Sequence, residues 1–188
     1  MALRDVTTWY LELPSPEAMT APPEPRDGLE VRRAVVPSPE LSRGLYAAVG
    51  SDWWWVDRLS WDWERWHAHL SRPEVETWVA YEDGTPAGYA ELVAEDGHVE
   101  LASFGLLPAF IGRGIGPRLL DASLRRAWAM TDPPPGRVWV HTCSLDGPAA
   151  RRTYEDRGLR EYREHTAPVT LPDARPEPWP GANRPAAS

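Results

Sequence analysis

Three glycines spaced two apart, in the run Ile111-Gly112-Arg113-Gly114-Ile115-Gly116, separate an apolar strand-like segment from a helix-like one. Glycine lets the backbone curl so that successive N–H groups converge, and at the positive end of the following helix such a turn suits a pyrophosphate. The glycine spacing is not the G-x-G-x-x-G of a dinucleotide turn and no Lys-Ser/Thr follows, which disfavours NAD and ATP. Further on, His141 and Cys143 share one strand face at period two, an arrangement open to an acyl-cysteine route. A buried cysteine is, however, most often inert. His67 and His69 lie two apart in a helical segment and point to different faces, so no metal site is expected.

The elements that must carry these residues follow from periodicity and punctuation. A strand-like N-terminal segment, TTWYLEL, runs into a Pro-rich tether that ends at Gly28. LEVRRAVV (29–36) alternates as a strand, and PSPELSRGLYAAV reads as a helix ended by Gly50. WDWERWHAHL reads as a second helix, followed by three strands joined at Asp83-Gly84 and Asp96-Gly97, both strong hairpin signals. The helix after the glycine turn puts Leu120, Leu124 and Trp128 on one face and runs to about Met130. A strand over 137–143, a helix over 147–157 and a strand over 159–170 complete the order.

Composition bounds the function. At 188 residues, 42% hydrophobic and 26% charged, the chain reads as one globular domain. A net charge of -8 disfavours nucleic acid and favours a neutral or cationic small substrate. Cys143 is the only cysteine, so no intramolecular disulfide forms and a reducing, cytoplasmic setting is expected. No apolar run approaches the roughly 20 residues of a membrane span, and the N-terminus has no secretory pattern.

The strand, glycine turn and helix resemble motif A of the GNAT superfamily, the acyl-coenzyme A-dependent N-acetyltransferases, in which Arg/Gln-x-x-Gly-x-Gly/Ala follows a Pro. Here Pro108 precedes Ile111 to Gly116, Ile111 stands at the Arg/Gln position, and Pro117 removes one backbone donor. Downstream, Ala150, Tyr154 and Gly158 fall on the A-x-x-x-Y-x-x-x-G pattern of motif B. Leu159 replaces the usual Phe, and Gly147 stands where an Asn is frequent. The resemblance covers about residues 29 to 170.

What this resemblance implies is an α/β (α+β) GNAT fold: a mixed, mostly antiparallel, splayed sheet with helices on both faces. Acetyl-coenzyme A would lie between strands 99–107 and 137–143, held by the backbone near Phe104 and Leu106, by Ile111, Gly112, Arg113, Gly114, Ile115 and Gly116, and by Ser144 or Thr142. By position, Glu100 takes the general-base role, with Glu91 in reserve, and Tyr154 that of proton donor to the leaving thiolate. The expected organisation is an N-terminal strand or arm and Pro-rich tether over 1–28, the acetyltransferase domain over 29–170 and a disordered Pro-rich tail over 171–188.

Six of the eleven tryptophans lie between residues 53 and 66. Three in a row, Trp53, Trp54 and Trp55, cannot all point inward on one regular element, so at least one is expected to face a cavity or partner; the three are candidates to line an acceptor pocket, with core packing or a dimer interface as the alternative. The expected reaction is acetyl transfer to a primary amine of a small cationic or aromatic molecule by direct attack, in a monomer or homodimer. The alternatives are acetylation of a protein Lys or N-terminus, and a non-catalytic acyl-coenzyme A sensor suggested by Ile111, Pro117 and Gly147.

Overall fold

The computed structural model describes residues 1–182. Its elements are β1 (Ala2–Leu13), β2 (Leu29–Ala34), α1 (Pro39–Gly50), α2 (Trp63–Leu70), β3 (Val75–Glu82), β4 (Thr85–Glu95), β5 (His98–Leu106), α3 (Ile115–Trp128), β6 (Val138–Cys143), α4 (Ala150–Glu155) and β7 (Arg160–Leu171). The strands form one sheet in the order β2-β3-β4-β5-β6-β1-β7, antiparallel at every pair except β5–β6.

Local chemistry sets the boundaries. The Ser38 side chain accepts from the Leu41 N–H and Pro39 opens the first turn of α1, while Asp62 caps α2 through the Arg65 N–H. Asp83-Gly84 and Asp96-Gly97 all have positive φ, as two-residue hairpin turns require. On one face of the sheet the buried stripe of α3, with Leu119, Leu120, Leu124 and Ala127, packs on Leu11, Leu92, Leu101 and Val140. On the other face Leu45 and Val49 of α1 pack against Val79 and Tyr89.

Two features set up the site. The first is a bulge in β5: Leu92 pairs with Leu101 but Glu91 with Ser103, so Ala102 is an extra residue that bends the strand. Pairing of β5 with β6 is confined to Val99↔Val138 and Glu100↔Trp139. Beyond Glu100 the strands part, and the backbone edge of β5 from residue 101 to 106 faces a gap.

The second is the N-terminal strand. Read from sequence as a strand or arm ahead of the domain, β1 lies inside the sheet and pairs with β6 on one side and β7 on the other. Residues 14–28 then lead to β2 at the opposite edge of the sheet. This tether is held by the buried Arg157, whose guanidinium donates to the carbonyls of Thr20 and Ala21 and to Asp121. Gly158, at φ +98, lies so near the tether that a Cβ there would sit 2.1 Å from the Ala18 carbonyl oxygen, so this chain requires glycine at that point.

Several boundaries differ from expectation: β1 begins at Ala2 instead of Thr7, β2 ends at Ala34 instead of Val36, and α3 ends at Trp128 instead of about Met130. α4 covers residues 150–155 rather than 147–157, because residues 147–149 form a turn closed by the Ala150 N–H on the Gly147 carbonyl. Of the expected tail, Leu171 still belongs to β7, and residues 183–188 lie outside the described residues. Among the described residues no helix is long and apolar enough to cross a membrane.

Candidate active site

The gap between β5 and β6 has a different chemistry on each face. On the α1 face, the His141 Nδ1–H donates to Glu100 Oε1 at 3.2 Å, from the strand directly opposite. The Glu100 side chain is 24% exposed and that of His141 47%. The hydrogen bond to Glu100 raises the His141 pKa above its ordinary value; burial opposes this, and the charges of Glu100, Asp146 and Asp57 reinforce it. A hydrogen bond at Nδ1 leaves Nε2 as the ring's acceptor. Sequence reasoning proposed Glu100 but weighed His141 only as a partner for Cys143. The available signal was that Glu100 and His141 would fall near each other on the two strands expected to flank the coenzyme.

On the α3 face, Tyr154 is buried with its ring 5.7 Å from that of Phe104. Burial, then the charge of Asp146, pushes its phenol pKa upward, so it holds its proton throughout the neutral range. The gap is therefore flanked by an imidazole on one side and a protonated phenol on the other.

The glycine turn lies at the start of α3. Gly112 and Gly114 adopt φ +80 and +75, and Gly114 caps the helix with no side-chain hydrogen bond, leaving the first helical N–H groups to a ligand. These features, with the free edge of β5, fit a pantetheine and pyrophosphate. Ile111 does not add a donor, because its N–H is taken by the Pro108 carbonyl and its side chain is exposed. Arg113 is drawn to Glu82 at 2.7 Å, and its carbonyl accepts from Arg26 of the tether. Arg118 donates to the carbonyls of Gly114 and Glu24, which fixes a guanidinium one turn into α3.

Other expected site residues are occupied elsewhere. The Ser144 hydroxyl accepts from the Thr7 N–H, so it pins β1 to the end of β6 instead of facing the gap. Thr142 donates to Asp146. Asp146 also accepts from the Cys143 N–H and from the Trp55 indole, which ties the end of β6 to the loop after α1. Burial and then Asp146 push the Cys143 thiol up to about 11, so it remains a thiol at neutral pH and is a poor nucleophile.

The three consecutive tryptophans do not act as one wall. Trp55 is wedged beside Tyr46 and Tyr89, and a Cβ at Gly50 would sit 2.3 Å from its Cβ. Trp54, at φ +61, lies beneath Arg4, 5.0 Å from its ring centre. Trp53 lies over Gly147, where a Cβ would stand 3.4 Å from the indole. The tryptophan therefore takes the space that a side chain at the Asn position would fill.

Glu91, the reserve base, is 1% exposed and bound by Arg58 at 2.6 Å and His69 at 3.0 Å. Burial opposes its charge, but the His69 hydrogen bond and the Arg58 charge outweigh it and hold the carboxyl below its ordinary pKa. A carboxylate so enclosed anchors the loop between α1 and α2 and does not take protons from substrate.

The Acetyltransferase (GNAT) family model matches residues 41–159, and the chain belongs to this family of acyl-coenzyme A-dependent acetyltransferases. Among solved structures, it is similar to a GCN5-related N-acetyltransferase from Sphaerobacter thermophilus, with TM-score 0.62 and 19% identity over 93% of this chain and 53% of that one. A GCN5-related N-acetyltransferase from Kribbella flavida matches with TM-score 0.60 and 17% identity, over 85% of this chain and 56% of that one. A tandem GNAT protein from the clavulanic acid biosynthesis pathway matches with TM-score 0.53 and 14% identity, over 92% and 56%. Against these three the chain spans little more than half of the other protein's length. No curated protein sequence matches it.

Proposed function

We propose that this chain transfers an acetyl group from acetyl-coenzyme A to the primary amine of a small cationic or aromatic molecule, by direct attack in a ternary complex. One observation carries the reading: the Glu100–His141 pair and Tyr154 occupy opposite faces of the gap at which β5 and β6 separate.

Bound acetyl-coenzyme A supplies a thioester carbonyl, an electrophile for the amine. His141 Nε2 takes the proton that the attacking nitrogen must lose, and Glu100 stabilises the imidazolium that results. Backbone N–H groups on the free edge of β5, around Phe104 to Leu106, supply donors to charge developing on the carbonyl oxygen. Tyr154 returns a proton to the leaving sulfur. Cys143 stays out of the reaction as a neutral thiol. Asp57 and Asp146, whose charges are felt at His141, favour a cationic acceptor approaching on that face.

A thiol-release screen over alkyl and aromatic amines, amino acids, polyamines, aminoglycosides and peptides tests this. Turnover on small cationic or aromatic amines, reduced at least 10-fold by His141→Gln, is the expected result. Turnover on peptides alone would point to protein acetylation. Coenzyme binding with no thiol release across the whole panel would point to a sensor.

A further inference from the structure

Insertion of β1 does more than fill the sheet. It places Tyr10 directly opposite His141 and Glu12 opposite Trp139. Side chains paired across strands share a face, so the ring proposed as the base is one of four in contact. Tyr10 and Trp139 are 6.4 Å apart between centroids, Tyr10 and His141 6.1 Å, Trp139 and His141 6.2 Å, and Tyr10 and Tyr162 6.3 Å. The row extends over β6, β1 and β7 on the face opposite α3, where Tyr162 is 40% exposed. Two guanidiniums lie over it: Arg163 over Tyr10 and Arg137 over Tyr162, each 4.9 Å from the ring centre, with Arg137 also paired to Glu12. Each guanidinium takes one face of its ring, so the surface offers Trp139 and the other faces of Tyr10 and Tyr162, and it ends at the base.

We infer that this shelf of Tyr10, Trp139 and Tyr162 is the acceptor subsite, and that it takes the ring of an aromatic primary amine whose nitrogen reaches His141. The inference rests on the proposed acetyl transfer and narrows it from cationic or aromatic amines to ring-bearing ones. Continuity decides the occupant, because the shelf and the base are one cluster of rings and an amine attacking beside His141 must lay its body along β6, β1 or the loop after α1. In that loop Trp55 packs on Tyr46 and donates to Asp146, and Trp53 lies over Gly147. The carboxylates near His141 suit the ammonium group before it loses its proton. Aromatic surface suits the remainder.

The test compares phenethylamine with hexylamine as acceptors for the wild type and for Tyr10→Leu, Trp139→Leu and Tyr162→Leu, each kcat/KM referred to the free-amine fraction because the ring lowers the amine's basicity. A ring contact of ordinary strength predicts that the ratio of kcat/KM for phenethylamine over hexylamine exceeds unity in the wild type and falls about 3- to 10-fold for each ring removed. The loss should lie in KM, with the Kd for acetyl-coenzyme A unchanged by calorimetry. Tyr162, at the edge of the sheet, serves as the variant that keeps the fold if the other two do not. Equal rates on the two amines in the wild type, or equal losses on both in the variants, would overturn the shelf as a subsite while leaving amine acetylation standing. A change from dimer to monomer in sedimentation with the ratio untouched would assign the face to a second copy. No turnover of either amine beside turnover on another acceptor of the screen would overturn the shelf alone, whereas no thiol release across the whole screen, with coenzyme bound, would remove the acetyl-transfer reading and the shelf with it.

Discussion

Glu100 Oε1 and His141 Nδ1 lie 3.2 Å apart where the sheet begins to open, Glu100 on the last paired rung between β5 and β6 and His141 two residues past its partner Trp139. The carboxylate favours the imidazolium, so the His141 pKa is raised above 6.5. A general base must be unprotonated, and kcat/KM should therefore climb with pH through that raised value. In Glu100→Gln the raising charge is gone, so the acid limb of the profile should move to lower pH and the plateau should fall. A pH–rate series on both proteins checks this; an acid limb at the same pH in both would dissociate the pair from the rate. The same pair contributes to stability in the opposite direction: its contribution is full below the unfolded histidine value of about 6.5 and is lost as pH rises through the folded one.

Tyr154→Phe removes only a hydroxyl from a buried ring that packs on Phe104. Turnover should fall about 10- to 1000-fold, the usual range for a positioned proton donor, while thermal stability and coenzyme affinity change little. Steady-state kinetics beside calorimetry separates these. Wild-type turnover would leave Tyr154 a packing residue.

Gly114→Val forces a β-branched residue into φ +75, with its Cβ 3.2 Å from the Arg118 guanidinium. Strain of about 1–3 kcal/mol is expected, and the turn should rearrange locally. Because the N–H groups of this turn are the proposed pyrophosphate donors, acetyl-coenzyme A affinity should fall at least 10-fold. Isothermal calorimetry on the folded variant decides, and unchanged affinity would place the coenzyme elsewhere.

Glu91→Gln leaves Arg58 without its carboxylate in a site where Glu91 is 1% exposed. Breaking a buried pair from one side costs about 3–5 kcal/mol, so denaturant titration should show a large loss. The variant's kcat should keep the pH profile of the wild type, since Glu91 is not the base. In the wild type the contribution of Glu91 is present above the unfolded carboxyl pKa and disappears as pH falls through the depressed folded one.

Trp55→Ala removes an indole that is packed between Tyr46 and Tyr89 and donates to Asp146, and should cost about 3–5 kcal/mol of stability. Trp53→Ala, above Gly147, should cost less and leave the acceptor KM near its wild-type value. Chemical denaturation with acceptor kinetics on the two variants tells them apart; equal stability losses would make both structural.

Much of this was legible in the order of residues. Glycine spacing at 112, 114 and 116, the Asp-Gly hairpins and the Ala150-Tyr154-Gly158 pattern are local signals. Each acts through the backbone geometry of its own few residues, so a linear reading suffices to place the turn, the meander and Tyr154. Glu100 was legible by its distance along the strand from the glycine turn. What the linear order could not supply is which strand lies beside which. The pairing of β1 with β6 joins residues more than a hundred apart, and it alone puts Tyr10 beside His141 and turns Ser144 toward Thr7. The Glu100–His141 bond likewise depends on where a parallel pair stops, which is decided by a bulge at Ala102 and by the packing of α3 under both strands. Three adjacent tryptophans are alike in sequence; only their surroundings, Gly147, Arg4 and Tyr46, give them different work. Local conformation is a property of short stretches of chain, while neighbours across a sheet are selected by burial and shape over the whole molecule, and that selection became visible only in the folded structure.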